Sequence, residues 1–207
     1  MIRSVMFDFG GVITSSPFDA FDRYEREQGL PPGFIRTVNS TNPDSNAWAN
    51  LERGALDMDG FADAFEAEAR GLGHKVDGRV VLSLLGGDVR PAMVEAVRLC
   101  SATFETACLT NNFGADDTPA APEVVAILAL FDVVLESRTL GVRKPEPLFY
   151  ELACEAVGVR ADEVVYLDDL GINLKPARAM GMHTIKVTDP TEALVELSAV
   201  TGLALAD

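Results

Sequence analysis

The hydrophobic positions of this chain form two patterns, short continuous apolar runs and longer stretches with apolar residues three or four positions apart. Continuous runs predict strands buried on both faces, because a strand with one wet face would alternate apolar and polar residues. These runs cover residues 4–9, 104–110, 131–137, 163–168 and 183–187. Helical patterns over 90–101, 145–158 and 173–181 separate the later runs. Such alternation predicts an α/β fold with a parallel sheet and helices on both faces.

The chain between the first two runs has a different pattern. The segments "FDAFDRYEREQG", "NAWANLERGAL" and "DGFADAFEAEARGLG" have helical apolar spacing with Gly or Pro at the breaks, and no strand pattern occurs. We therefore predict a helical insert over residues 15–87 and an α/β core formed by residues 1–14 and 88–207. An insert after the first strand would stand over the carboxyl edge of the sheet, where ligands bind in open α/β folds.

Composition and charge exclude several functional classes. With 207 residues the chain can bury the core of one domain, and 48% hydrophobic with 24% charged residues is ordinary globular composition. A net charge of −15 repels nucleic acid and anionic lipid, and no stretch has the length of a membrane span. The three cysteines have no metal-ligand spacing and are expected to be reduced. We expect a cytoplasmic protein, and the sequence does not indicate its oligomeric state.

Polar residues follow the predicted strands at the points where they end. Asp8 ends the first, residues 110–112 (Thr-Asn-Asn) end the second, and Asp168 and Asp169 end the fourth, while Lys144 precedes a helix. The carboxyl ends of parallel strands lie at one edge of the sheet, so these residues can converge. Neighbouring carboxylates repel one another unless a cation lies between them. The pattern therefore predicts a cation site at that edge.

Four segments occur in the order typical of a known superfamily: "FDFGGV", "LTNN", "RKPEP" and "YLDDLGINLKPARAMGM". On these residues the chain resembles the haloacid dehalogenase-like hydrolases over nearly its whole length. The fourth segment, together with "WANLERGAL" in the insert, resembles in particular the phosphatase-like N-terminal domain of soluble epoxide hydrolases and its bacterial relatives. The resemblance implies a Rossmann-like core, an α-helical cap and the hydrolysis of a small phosphorylated metabolite.

The resemblance also implies roles for individual residues. Asp8 would be the nucleophile that forms an aspartyl-phosphate. Lys144 would neutralise the negative charge of Asp8 and of the phosphoryl group. Thr110, through its hydroxyl, and Asn111, through its backbone amide or its side chain, would hold the phosphoryl oxygens. Without a cation, three aspartates and one lysine would repel a phosphate dianion by several kcal/mol.

Mg²⁺ is the cofactor that the resemblance implies. Its ligands would be the Asp8 carboxylate, the backbone carbonyl of Gly10 and the carboxylate of Asp169. Asp168 would orient these ligands and Asn173 would support them. By analogy with members of this family, Asp169 is favoured over Asp168 as the direct ligand of the ion, and the opposite assignment stays open.

Gly10 departs from the family pattern. Most phosphatases of the superfamily have an aspartate there that acts as general acid and base, which is worth about 10²–10⁴ in rate. Three hypotheses follow. The protein is a phosphatase whose proton comes from water or the insert or whose leaving group is good, a 2-haloacid dehalogenase, or a protein with a degenerate site that binds phosphate compounds or serves as an interaction module. Because dehalogenases of this kind lack the paired acid of "YLDDLG", we favour the phosphatase.

Two further side-chain groups are expected to be solvated. Arg143, beside Lys144, is interpreted as a surface residue, with contact to an anionic substrate as the alternative. Asp116 and Asp117 lie in a loop over residues 114–123 near the predicted site entrance, where solvation and helix capping are favoured over metal binding.

Overall fold

A parallel sheet forms the centre of the computed structural model, which describes residues 1–111 and 121–205. Within them the sheet has five strands in the order β3-β2-β1-β4-β5, all parallel. The strands are β1 Ser4–Phe7, β2 Glu105–Thr110, β3 Val133–Glu136, β4 Val164–Asp168 and β5 His183–Lys186. The predicted strands are confirmed, with ends shorter by up to two residues. Asn112, Asp116 and Asp117 lie outside the described residues.

Helices cover both faces of this sheet. They are α6 Pro91–Ser101, α7 Pro122–Leu128, α8 Ser137–Leu140, α9 Pro147–Val157, α10 Gly171–Ala179 and α11 Pro190–Thr201. Successive residues of β1 point to opposite faces, so Val5 and Phe7 pack with residues of α6 and α11, whereas Met6 packs with residues of α9 and α10. The predicted Rossmann-like α/β architecture is therefore confirmed.

The chain between β1 and α6 is helical and has its own apolar core. Its helices are α1 Phe18–Gln28, α2 Phe34–Ser40, α3 Ala47–Glu52, α4 Met58–Gly71 and α5 Gly78–Ser83. Phe61 packs between Trp48 and Phe65, with ring centroids 4.7 and 5.5 Å away. An antiparallel bridge pairs Thr14 with Val89, just outside the two ends of this helical stretch. We call residues 15–87 the insert.

Four short helices were not predicted from the sequence pattern. Helices α2, α5, α7 and α8 have only four to seven residues, so each contains at most about two turns of an apolar period. One of them, α8, begins at Ser137, which was expected to end a strand. No helix in the described part of the chain has the length and apolarity to cross a membrane.

Candidate active site

Asp8 lies at the carboxyl edge of the sheet, one residue beyond β1. The strand register pairs Phe7 with Leu167 of β4, and the Asp8 N–H donates to the Leu167 carbonyl at 2.8 Å. This register places Asp8 beside Asp168, the last residue of β4. The Phe9 N–H donates to Asp8 Oδ1 at 2.6 Å, which fixes the rotation of the carboxylate.

Gly10 and Gly11 lie shortly after Asp8, and the backbone conformation of the turn requires glycine only at position 11. Gly11 has φ +78°, and a Cβ atom there would lie 2.3 Å from Asp169 Oδ2. Any side chain at Gly11 would therefore collide with the Asp169 carboxylate. Gly10 has an ordinary φ of −70°, and a Cβ atom there would meet nothing within 4 Å. The turn thus has room for a side chain at Gly10.

Lys144 connects two of the carboxylates. Its Nζ lies 2.8 Å from Asp8 Oδ1 and 3.0 Å from Asp168 Oδ2, and its side chain is 1% exposed. Burial lowers the pKa of Lys144, but the charges of Asp168 and Asp8 outweigh it and raise the pKa overall. The ammonium group therefore stays charged across the physiological pH range.

The side chain of Asn111, which follows β2, holds the backbone of Lys144. Its Nδ2 donates to the Lys144 carbonyl at 2.9 Å, and its Oδ1 accepts from the Lys144 N–H at 2.8 Å. Because both ends of the amide are engaged in this way, the side chain of Asn111 acts as a support for the lysine. Thr110 is the last residue of β2 and lies at the same edge.

The Asp168 carboxylate is completely buried and is saturated with hydrogen bonds. Oδ1 accepts from the Leu170 N–H at 2.8 Å, and Asn173 Nδ2 lies 3.1 Å from both oxygens. Oδ2 accepts from Lys144 and from the Tyr166 hydroxyl. A further tyrosine, Tyr150, donates to the Asn173 carbonyl at 2.7 Å. These contacts fix Asp168 rigidly and leave its oxygens little capacity for another ligand.

Asp169 completes a cluster of acidic groups. One carboxylate oxygen from each of Asp8, Asp168 and Asp169 lies within 4.8 Å of the others. Burial, followed by the charge of Asp168, raises the pKa of Asp169 to about 6. Burial also raises the pKa of Asp8, where the attraction of Lys144 does not compensate for it. At both carboxylates, the neighbouring positive charges do not offset the effect of burial on the pKa.

This donor set fits a hard divalent cation. Carboxylate oxygens are the ligands that Mg²⁺ prefers, and a divalent charge would stabilise the ionised carboxylates against the burial and the mutual repulsion that raise the two pKa values. Asp169 contrasts with Asp168, since it is half-buried and its carboxylate lies against the turn at Gly11. The residues present therefore fit a magnesium ion.

The structure brings together the residues that the sequence indicated and adds others. Asp8, Lys144, Asp168 and Asp169 lie in mutual contact or close to it, and Asn111 and Asn173 support them. Tyr150 and Tyr166 were missed, because a tyrosine in an apolar run looks like a core residue. The expectation for Arg143 was wrong: its side chain is 13% exposed and forms an ion pair with Glu52 of the insert. No local signal marks a contact between residues 91 positions apart.

Several known proteins are similar to this chain over most of its length. A family model described as haloacid dehalogenase-like hydrolase matches residues 2–181. The chain is 33% identical over 213 residues to acyl-CoA dehydrogenase family member 10 of Mus musculus, covering 98% of the chain and 19% of that protein. It is 30% identical over 216 residues to bifunctional epoxide hydrolase 2 of Mus musculus, covering 97% of the chain and 39% of that protein. The chain thus spans well under half the length of these two relatives.

A phosphatase of similar length and a solved structure extend the comparison. The chain is 28% identical over 198 residues to a phosphatase of Mycobacterium tuberculosis, covering 90% of the chain and 87% of that protein. A HAD family enzyme of Bacteroides thetaiotaomicron, in complex with magnesium and inorganic phosphate, superposes with a TM-score of 0.60 at 17% identity. That superposition covers 90% of this chain and 94% of the other. At this identity the superposition shows the shared fold.

Proposed function

Since the chain belongs to the haloacid dehalogenase-like hydrolase family, we propose that it is a Mg²⁺-dependent phosphatase that acts on a small phosphorylated metabolite through an aspartyl-phosphate. The observation that carries this proposal is Lys144 Nζ, held between Asp8 and Asp168 at 2.8 and 3.0 Å, with Asp169 completing the acidic cluster. The similarity to a phosphatase of Mycobacterium tuberculosis, 28% identity over 90% of the chain, supports the same reaction.

Asp8 is the proposed nucleophile. Its carboxylate attacks phosphorus in line, a bond forms between the Asp8 oxygen and phosphorus, and the bond to the ester oxygen breaks. Water then attacks the same phosphorus, and the phosphorus–Asp8 bond breaks to release inorganic phosphate. The Phe9 N–H and Lys144 Nζ hold the carboxylate in one orientation for both steps.

Thr110 and Asn111 are the proposed phosphoryl-binding residues. The Thr110 hydroxyl lies at the end of β2, at the edge where the reacting group would lie. The side chain of Asn111 is engaged with the Lys144 backbone, so of the two groups considered for Asn111 we assign phosphoryl binding to the backbone N–H. Lys144 supplies a fixed positive charge for the phosphoryl oxygens.

Asp8, the Gly10 carbonyl and Asp169 are the proposed magnesium ligands. Bound there, the ion would neutralise the carboxylates and the phosphoryl oxygens so that a dianion can enter. Asp168 is assigned an orienting role because its oxygens already accept from Lys144, Tyr166, Asn173 and the Leu170 N–H. Asn173 supports it from α10. The saturation of Asp168 is what favours Asp169 as the direct ligand.

Gly10 leaves the ester oxygen without the usual proton donor. The departing oxygen must then take its proton from water or from a group of the insert. A substrate with a good leaving group needs less of this help, so we expect the enzyme to favour such esters. We also propose that residues 15–87 act as a cap over the core formed by residues 1–14 and 88–207, and that the protein works in the cytoplasm, where its free cysteines stay reduced.

Hydrolysis of p-nitrophenyl phosphate and of a panel of sugar phosphates tests the proposal. We expect phosphate release with Mg²⁺, a loss to background after EDTA, and recovery when Mg²⁺ is restored. Chloride release from 2-chloropropionate is measured in parallel, because solved L-2-haloacid dehalogenases share the fold, one with a TM-score of 0.60 at 21% identity. Phosphatase activity that survives EDTA would contradict the magnesium role, and chloride release would favour the dehalogenase hypothesis.

The pH dependence of metal binding follows from the raised pKa values. A protonated carboxyl is a poor ligand, so a proton competes with the ion at Asp169 below its pKa of about 6. We expect Mg²⁺ to bind about tenfold more weakly at pH 5 than at pH 7, measured by isothermal titration calorimetry. Asp169→Asn should bind weakly at both pH values. Equal affinity of the unaltered protein at pH 5 and pH 7 would show that Asp169 does not carry the ion.

A further inference from the structure

The segments "WANLERGAL" and "RKPEP" contact each other in the structure. Lys144 is the residue of these two segments that has a role in the proposed reaction. Arg143 Nε donates to Glu52 Oε2, and Arg53 donates to Glu146 Oε1 through Nη2 at 2.6 Å and through Nε at 2.9 Å. The insert supplies the acid of one pair and the base of the other. We call these four residues the clamp.

Further contacts, made by side chains of the core to backbone groups of the insert, hold the insert against the core beside "RKPEP". The Ser137 hydroxyl, at the start of α8 in the core, donates to the Glu52 carbonyl at 2.6 Å. Gly54 has φ +73°, and a Cβ atom there would lie 2.9 Å from the Arg138 side chain. The C-terminal end of α3 therefore packs directly on α8. Arg143 Nη1 extends the contact by donating to the Pro43 carbonyl at 3.2 Å.

Two residues of the clamp lie on either side of Lys144 in the sequence. Arg143 immediately precedes the lysine and Glu146 follows two positions later, so both flanks of Lys144 are tied to α3. The backbone of Lys144 is itself held by the Asn111 side chain, through both ends of its amide. Glu52 and Arg143 are each 13% exposed, so removing either partner would leave the other charge largely shielded from water and unpaired.

We propose that the clamp couples the seating of the insert to the position of Lys144. Glu52, Arg53, Arg143 and Glu146 are then positioning residues: they act through Lys144 and do not touch the substrate. The insert contributes to turnover by holding a lysine of the core in place. The kinetic part of this inference rests on the proposed function, whereas the structural part does not.

Charge reversal at the more exposed pair, Arg53 and Glu146, tests the coupling without leaving a charge unpaired out of reach of water. Arg53 and Glu146 are 24% and 31% exposed, so Arg53→Glu and Glu146→Arg place like charges together where water can reach them. The double variant restores opposite charges. Arg79→Glu, which breaks the pair with Asp59 inside the insert at 59% and 79% exposure, is the matched control.

Hydrogen–deuterium exchange and steady-state kinetics are the two measurements. We expect the amide of Lys144, bound to Asn111 Oδ1 at 2.8 Å, to exchange at least about tenfold faster in each single reversal. With p-nitrophenyl phosphate and Mg²⁺, kcat should fall roughly tenfold with KM nearly unchanged. The double variant should recover both, and Arg79→Glu should change neither.

Several results would overturn the inference. One is a Lys144 amide that exchanges equally in all variants, and another is a double variant that exchanges as fast as the single ones. An effect on KM alone would show that the clamp governs substrate entry and does not position the lysine. If the unaltered protein hydrolyses no phosphate ester, the proposed function fails while the exchange data still decide the coupling.

Discussion

Asp8→Asn is expected to reduce phosphatase activity by at least about 10⁴-fold, because the amide cannot attack phosphorus. The substitution keeps the shape of the side chain and removes a charge that burial and the neighbouring Asp168 disfavour, as the raised pKa of Asp8 shows. We therefore expect the melting temperature without metal to be unchanged or higher. Activity is measured with p-nitrophenyl phosphate under saturating Mg²⁺, and stability by thermal unfolding with EDTA.

Loss of activity without loss of stability separates a nucleophile from a residue that only supports the fold. Asp59→Asn, at an acidic side chain 79% exposed on the insert, is the matched control and should leave activity unchanged. Trapping of phosphate on the protein gives a second readout, since the acyl phosphate should form on the unaltered chain and not on Asp8→Asn. Normal turnover by the Asp8→Asn variant would exclude Asp8 as the nucleophile.

Gly10→Asp is expected to raise kcat/KM for sugar phosphates by about 10²-fold, with a much smaller gain for p-nitrophenyl phosphate. An alkoxide is a poor leaving group that must be protonated as it departs, whereas p-nitrophenolate leaves without help. The backbone accepts the change, because φ at Gly10 is −70° and a Cβ atom would meet nothing within 4 Å. The measurement is the ratio of kcat/KM for the two kinds of ester.

Gly10→Asn is the matched control, since it has the same shape and cannot donate a carboxyl proton. If it raises the ratio as much as Gly10→Asp does, the gain comes from packing. If neither variant changes the ratio while Mg²⁺ still binds, another group already supplies the proton. Gly11→Ala provides the steric contrast: a Cβ atom 2.3 Å from Asp169 Oδ2 should displace that carboxylate and weaken Mg²⁺ binding.

The strands and long helices could be predicted because burial leaves a local pattern in the sequence. Val5, Met6 and Phe7 are all fully buried, and a continuous apolar run is what a strand covered on both faces needs. Pro147 at the start of α9 and Gly158 at its end, with φ +72°, mark that helix by their own conformational preferences. The four-residue helix α8 has no such period, so its start at Ser137 was missed.

The candidate site could be predicted as far as strand ends determine it. Asp8, Thr110 and Asp168 follow from the rule that parallel strands present their carboxyl ends at one edge. The sequence could not decide which of Asp168 and Asp169 is the proposed metal ligand and which the orienting residue. That choice depends on which carboxylate accepts hydrogen bonds from Tyr166, Asn173 and Lys144. The side chain of Asn111 was likewise available for phosphate on sequence grounds, and in the structure it holds the Lys144 backbone.

The sequence alone was enough to establish the class of fold and the absence of a carboxylate at Gly10, and to indicate the sheet edge of the candidate site. These features depend on local burial, residue identity and strand direction. Three-dimensional packing was needed to show that Gly10 has room for a Cβ atom while Gly11 does not, and that Arg143, only 13% exposed, pairs with Glu52. The physical reason is that these contacts join residues far apart in the sequence. Gly11 meets Asp169 only when β1 and β4 lie side by side, and Arg143 meets Glu52, 91 positions away, only when the insert packs on the core.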